Sequence, residues 1–112
     1  MALNKYPALP NHILLVEDNL MDVELTLNAI QEINLSSSVA VANSGQQALD
    51  YLYSAGEYVD RKRHPLPDLI LLDIKMPGMD GLEVLSIIKQ TPVIKRLPVV
   101  ILTSSHEFSD RI

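Results

Sequence analysis

Several oxygen-bearing side chains stand where apolar runs stop. Glu17 and Asp18 follow "HILLV" (His12–Val16), Asp73 ends "LILLD" (Leu69–Asp73), and Thr103 ends "VVILT" (Val99–Thr103), with Ser104 and Ser105 after it. If those runs are neighbouring strands, three acids and two or three hydroxyls meet at one rim. Carboxylates held within a few ångströms repel one another and raise each other's pKa unless a cation joins them. Every donor there is an oxygen, with no Cys or His at these ends. That favours a hard ion, Mg²⁺ above all, held by carboxylates together with water and phosphate oxygens. A carboxylate beside such an ion can attack a phosphoryl group and form an aspartyl-phosphate. The Thr103 hydroxyl can then hydrogen-bond a phosphoryl oxygen. Each residue also has an ordinary reading. A lone Asp ending a strand is more often a cap or turn residue, "ED" often opens a helix, and hydroxyls often cap one. The joint pattern at three strand ends carries the chemical reading.

The elements that must position these residues are legible. Three of the four β-rich runs are almost continuously apolar, as suits strands covered on both faces of a parallel sheet. The remaining run, "SVAVA" (Ser38–Ala42), is smaller and partly polar and is placed at an edge. Helical patterns lie between. Asn19 is the expected N-cap of one, with Leu20, Val23, Leu27 and Ile30 at helical spacing. Ser44 and Gln47 form a capping box before Leu49, Leu52 and Tyr53. Asp80 and Glu83 repeat that spacing before Leu82, Leu85 and Ile88, and Pro92 closes the helix. Strand–helix alternation implies right-handed βαβ units and an α/β, doubly wound parallel sheet. Such sheets bind ligands at the carboxyl ends of their strands. Beyond Asp73, Gly78 and Gly81 allow a tight loop and Pro77 stiffens it.

The bulk numbers limit the alternatives. The 112 residues suit one domain, 1–112. Hydrophobic residues make up 47% and charged residues 21%, as in ordinary globular domains. A net charge of −5 argues against nucleic acid as a direct ligand. Without cysteine there is no disulfide, thiolate metal site or Cys nucleophile. No apolar run approaches the roughly 20 residues of a membrane span. The start, "MALNKYPALPN", has no signal-peptide core, so the cytoplasm is the expected compartment. One long connection, "SAGEYVDRKRHPLP" (Ser54–Pro67), holds Arg61, Lys62 and Arg63. A solvated loop is the ordinary reading of that basic run, and a partner contact is the other.

"ILLVEDN" (Ile13–Asn19), "DLILLDIKMPGMDGLEVL" (Asp68–Leu85) and "PVVILTSS" (Pro98–Ser105) together resemble the receiver domain of two-component response regulators. The likeness covers nearly the whole chain after residue 11, and its middle motif is the most specific. It implies a flavodoxin-like receiver fold with strand order 2-1-3-4. It implies Asp73 as phosphoacceptor, Asp18 as a direct Mg²⁺ ligand, and Glu17 as a ligand directly or through water. The backbone carbonyl of Lys75 becomes a further metal ligand and Thr103 the switch hydroxyl. The Lys75 side chain and Ser105 fall where the family tunes dephosphorylation. The implied partners are a sensor histidine kinase and a downstream protein, with no membrane partner, and a homodimer stays open. The long connection and "RLPVVILTSS" are similar to the subgroup typified by cyanobacterial phytochrome response regulators, which implies a phytochrome-type kinase.

The chain departs from the pattern at its C-terminus. The family's fifth strand, with its lysine, and its fifth helix are expected to be missing, leaving a C-terminally incomplete receiver whose fourth strand lacks cover. A truncated product, an unrecorded tail and a gap filled by another chain all stay open. Two rival functions stand beside the phosphoacceptor switch, which is itself not an enzyme with a separate substrate. One is a Mg²⁺-dependent phosphohydrolase, but haloacid-dehalogenase-like enzymes use Asp-x-Asp, and Lys75 occupies the second acid's place. The other is a degenerate, non-phosphorylated receiver used as a docking module.

Overall fold

The computed structural model describes residues 10–33 and 36–102. In chain order the elements are β1 (His12–Val16), α1 (Leu20–Ile33), β2 (Ser38–Ala42), α2 (Gly45–Leu52), a 3₁₀ turn (Gly56–Tyr58), β3 (Leu69–Asp73), α3 (Gly81–Gln90) and β4 (Val99–Leu102). The strands form one sheet in the order β2-β1-β3-β4. All three pairings are parallel. The expected doubly wound arrangement is therefore present, and β2 is at an edge as its composition implied. Thr103, expected to close the fourth strand, lies outside the described residues, as do Ser104 and Ser105.

Strand alternation divides the apolar side chains between two faces. Leu14, Val16, Ile70 and Leu72 join Ala48, Leu49, Leu52, Val84 and Ile88 in one buried cluster under α2 and α3. Removing each large aliphatic side chain from water contributes about 1.5–3 kcal/mol, so this face supplies most of the fold's cohesion. Ile13, Leu69 and Leu71 face the other way. With Ile30 and Ile33 of α1 they line an apolar cleft of about 230 Å³.

The three helix starts behave as expected. Asn19 Oδ1 accepts the Asp22 N–H at 3.0 Å, Ser44 Oγ that of Gln47 at 3.1 Å, and Asp80 Oδ1 that of Glu83 at 2.9 Å. The apolar faces need correction by one or two residues. Leu20, Leu82 and Tyr53 are exposed, while Tyr51 and Val84 are buried. Leu20 is the first residue of its helix, Leu82 the second, and Tyr53 follows the last. At helix ends the 3.6-residue stripe has no second turn to fix its phase.

The long connection is built rather than merely solvated. Arg61 turns inward: Nη1 donates to the carbonyls of Tyr51 (3.0 Å) and His64 (3.1 Å), and Nη2 to that of Leu52 (2.7 Å). Two of these acceptors are at the end of α2, where carbonyls lack partners within the helix. Tyr51, Tyr58 and His64 pack mutually, His64 edge-to-face with both tyrosines, with ring centroids 5.1–5.9 Å apart. Lys62 and Arg63 stay exposed.

Candidate functional site

Two strand ends bring the acids together. The Glu17 N–H donates to Ala42 O at 2.9 Å, continuing the β1–β2 ladder one residue past the strand. Its side chain turns back, and Oε2 accepts the Asn19 N–H at 3.2 Å. Asp73 is the last residue of β3, in register with Leu102 of β4. Its Oδ1 accepts the Lys75 N–H at 3.2 Å. Glu17 and Asp73 are the two charged residues in the buried class among the described residues. Asp18 is exposed beside them, and one carboxylate oxygen from each of the three lies within 4.8 Å of the others.

Electrostatics make this cluster costly without a cation. Two unit charges 4.8 Å apart repel by about 3 kcal/mol at an effective dielectric near 20. Burial, above all, pushes the Glu17 carboxyl up to about 7; Asp73 adds to this and the Asn19 N–H opposes it. Burial likewise raises Asp73, with the Lys75 N–H and a hydrogen bond from Glu17 opposing and Asp18 adding. Below about pH 7, then, the cation-free protein keeps a proton on Glu17. A divalent cation replaces that proton well. The donors are all oxygens, two of them buried, and their charges lack room to ionise together. The arrangement suits a hard cation as the sequence suggested.

The structure brings together Glu17, Asp18 and Asp73, and places Lys75 at the start of the loop that leaves Asp73. Thr103 cannot be placed among the described residues. One contributor escaped the sequence reading. Asp22, half-buried in the first turn of α1, adds its negative field to both Glu17 and Asp73. Its signal was the four-residue step from Asp18, about one helical turn.

Residues 13–112 match the model of the response regulator receiver domain. Response regulator Rcp1 of Synechocystis sp. is 42% identical over 101 residues, covering 90% of this chain and 67% of that protein. The chain thus spans about two thirds of that curated relative's length. Among solved structures, the phosphorylated cyanobacterial phytochrome response regulator RcpA is 40% identical with a TM-score of 0.77, covering 90% of this chain and 70% of its own. The bacteriophytochrome response regulator AtBRR is 47% identical with a TM-score of 0.76, covering 94% and 74%. The Mn²⁺-bound form of Rcp1 is 43% identical with a TM-score of 0.69, covering 90% and 70%. The subgroup suggested by the long connection is the one these relatives represent. With its parallel four-stranded sheet and the acids at its carboxyl rim, this chain belongs to the response regulator receiver domain family.

Proposed function

We propose that this chain, as a single receiver domain over 1–112, is a phosphorylation-controlled switch with Asp73 as its phosphoacceptor. The observation that carries the reading is a buried Asp73 ending a central strand against Glu17 and Asp18. The phosphodonor is a phosphohistidine on a sensor histidine kinase of the phytochrome type. An Asp73 carboxylate oxygen attacks phosphorus, an O–P bond forms and the N–P bond of the donor breaks. The electron pair returns to the imidazole, which regains a proton from solvent. The Lys75 N–H on Oδ1 fixes the carboxylate's orientation, and positioning of this kind is a main source of rate. Glu17, Asp18, Asp73 and the Lys75 carbonyl would hold Mg²⁺. That ion supplies positive charge against the negative charge gathering on the phosphoryl oxygens. Glu17 releases its proton as the site ionises.

The new phosphoryl group brings about −2 charge and fresh acceptor oxygens to the rim. Thr103, the next residue after β4, is the hydroxyl assigned to them. A shift of a pre-existing equilibrium follows, and a downstream protein reads the changed surface. The chain transfers phosphate to itself and turns over no separate substrate. The cytoplasm, where kinase catalytic domains work, is the proposed compartment. No described helix is long and apolar enough to cross a membrane.

The test is an intact-mass spectrum before and after acetyl phosphate with Mg²⁺. A gain of one phosphoryl group that disappears in Asp73→Asn supports the switch. No gain in the unsubstituted protein overturns it in favour of a docking module, and steady turnover of a generic phosphate ester would favour a phosphohydrolase.

A further inference from the structure

We infer that Gly45, on α2, is a positioning residue for the acidic site, because it sets where the loop after Asp73 can lie. The inference rests on the receiver reading. Gly45 is buried as the first residue of α2. A Cβ added there would sit 2.7 Å from Val84 Cγ2, 3.0 Å from the Met79 carbonyl oxygen and 3.2 Å from Met79 Cβ. Carbon atoms that do not bond pack at about 3.5–4.0 Å, so even one methyl does not fit unless something moves.

What moves is constrained. Val84 is fully buried within the core cluster, and close-packed interiors yield little. Met79 belongs to the segment between β3 and α3 that begins just after Asp73. The base of that segment is fixed. Gly81 N–H donates to Ile74 O at 2.9 Å, and a Cβ at Gly81 would collide with the Asp73 carbonyl oxygen. Gly78 turns the segment with φ +77°, a conformation that suits glycine. With its base held by Gly81, the segment's flank rests on Gly45 through Met79. Because that base cannot give, a methyl at position 45 is taken up by the span between the pinned ends, from Lys75 to Met79. Lys75 orients Asp73 through its N–H and offers its carbonyl to the cation. Gly45 acts on the site through the loop and touches no reacting atom.

The test is a double-mutant cycle read by calorimetric Mg²⁺ titration of cation-free protein, beside thermal unfolding. Gly45→Ala is expected to weaken Mg²⁺ binding about tenfold, the low end of what outer-shell changes cost metal sites. In a Val84→Ala background the nearest clash is gone but Met79 remains, so the same substitution is expected to cost about threefold. Ala48→Gly, one turn further along the same helix, adds no atom that could press on Met79, so it lowers stability and leaves affinity unchanged. Unchanged affinity in Gly45→Ala overturns the inference, as does an equal loss in Ala48→Gly. If Gly45→Ala does not fold, the Val84→Ala pair decides: a loss supports the inference and no change overturns it. Failure of the unsubstituted protein to bind Mg²⁺ instead removes the receiver reading beneath it.

Discussion

Strand β3 has an aspartate at each end, Asp68 just before it and Asp73 as its last residue. The two share a side chain and differ in almost everything around it. Asp68 is exposed at the foot of the sheet. Its Oδ2 accepts the N–H groups of Asn11 (2.8 Å) and His12 (3.2 Å). Its own N–H donates to His12 O at 2.8 Å, so it ties the start of β1 to the start of β3. Asp73 is buried, has one backbone N–H on Oδ1, and faces other carboxyls. One carboxylate is satisfied by the backbone and closes a structure. The other, among the described residues, faces carboxyls more than donors and is available for a cation and a phosphoryl group. Chemistry here follows from neighbours and burial, since residue type is the same.

The comparison breaks or holds first on labelling. Asp73→Asn is expected to abolish phosphoryl gain from acetyl phosphate, while Asp68→Ala keeps it. Equal loss in both would erase the distinction. The next largest effect concerns pH. Glu17 ordinarily titrates near 4.5 and is pushed up to about 7 in the folded protein. Between those values the folded chain keeps a proton that the unfolded chain has lost. Cation-free protein is therefore most stable below about pH 4.5 as far as this group is concerned. It loses about 3 kcal/mol as pH rises to 7 and little beyond. The raised carboxyl of Asp73 acts in the same direction. Denaturant unfolding at stepped pH checks this. Glu17→Gln should flatten most of the slope, and saturating Mg²⁺ should remove it.

Both aspartates are equally visible in the sequence, yet only Asp73 stands at the carboxyl end of its strand, where such sheets bind ligands. Strand ends are legible because continuous apolar runs show where a covered strand stops, so Glu17, Asp18 and Asp73 could be placed at one rim. Caps such as Asn19, Ser44 and Asp80 are legible because their partners are three residues away. What stayed hidden depends on distant packing. The approach of Gly45 to Met79 joins two elements that no local spacing relates. The field of Asp22 reaches Glu17 and Asp73 only once α1 is seated over the rim. The burial of Tyr51 rather than Tyr53 turns on helical phase at a helix end, which a short amphipathic run does not fix.

The same lesson extends to cations, with a smaller effect. Arg61, Lys62 and Arg63 read alike in sequence, yet Arg61 alone donates to Tyr51, Leu52 and His64 carbonyls. Arg61→Ala is expected to cost about 2 kcal/mol, as hydrogen bonds from a charged donor and packed side-chain stem are lost. Lys62→Ala and Arg63→Ala should stay within about 0.5 kcal/mol, as exposed substitutions do. Chemical denaturation of the three variants measures this. A similar cost at all three would mean that the connection is held by its overall charge.

A smaller effect than that of Arg61 belongs to Asp68 itself. Asp68→Ala strips the acceptor from two N–H groups at the foot of the sheet, but water reaches them there. The loss is then about 1 kcal/mol, the net worth of an ordinary hydrogen bond, and not the larger penalty of an orphaned buried donor. Mg²⁺ affinity measured on the same variant should equal that of the unsubstituted protein, because the β1–β3 register from Ile13↔Leu69 to Val16↔Leu72 remains to hold the rim. A drop in affinity would show that Asp68 helps set that register. The foot of β3 would then be part of the apparatus that aligns Asp73 with Glu17, and the two ends of the strand would no longer act separately.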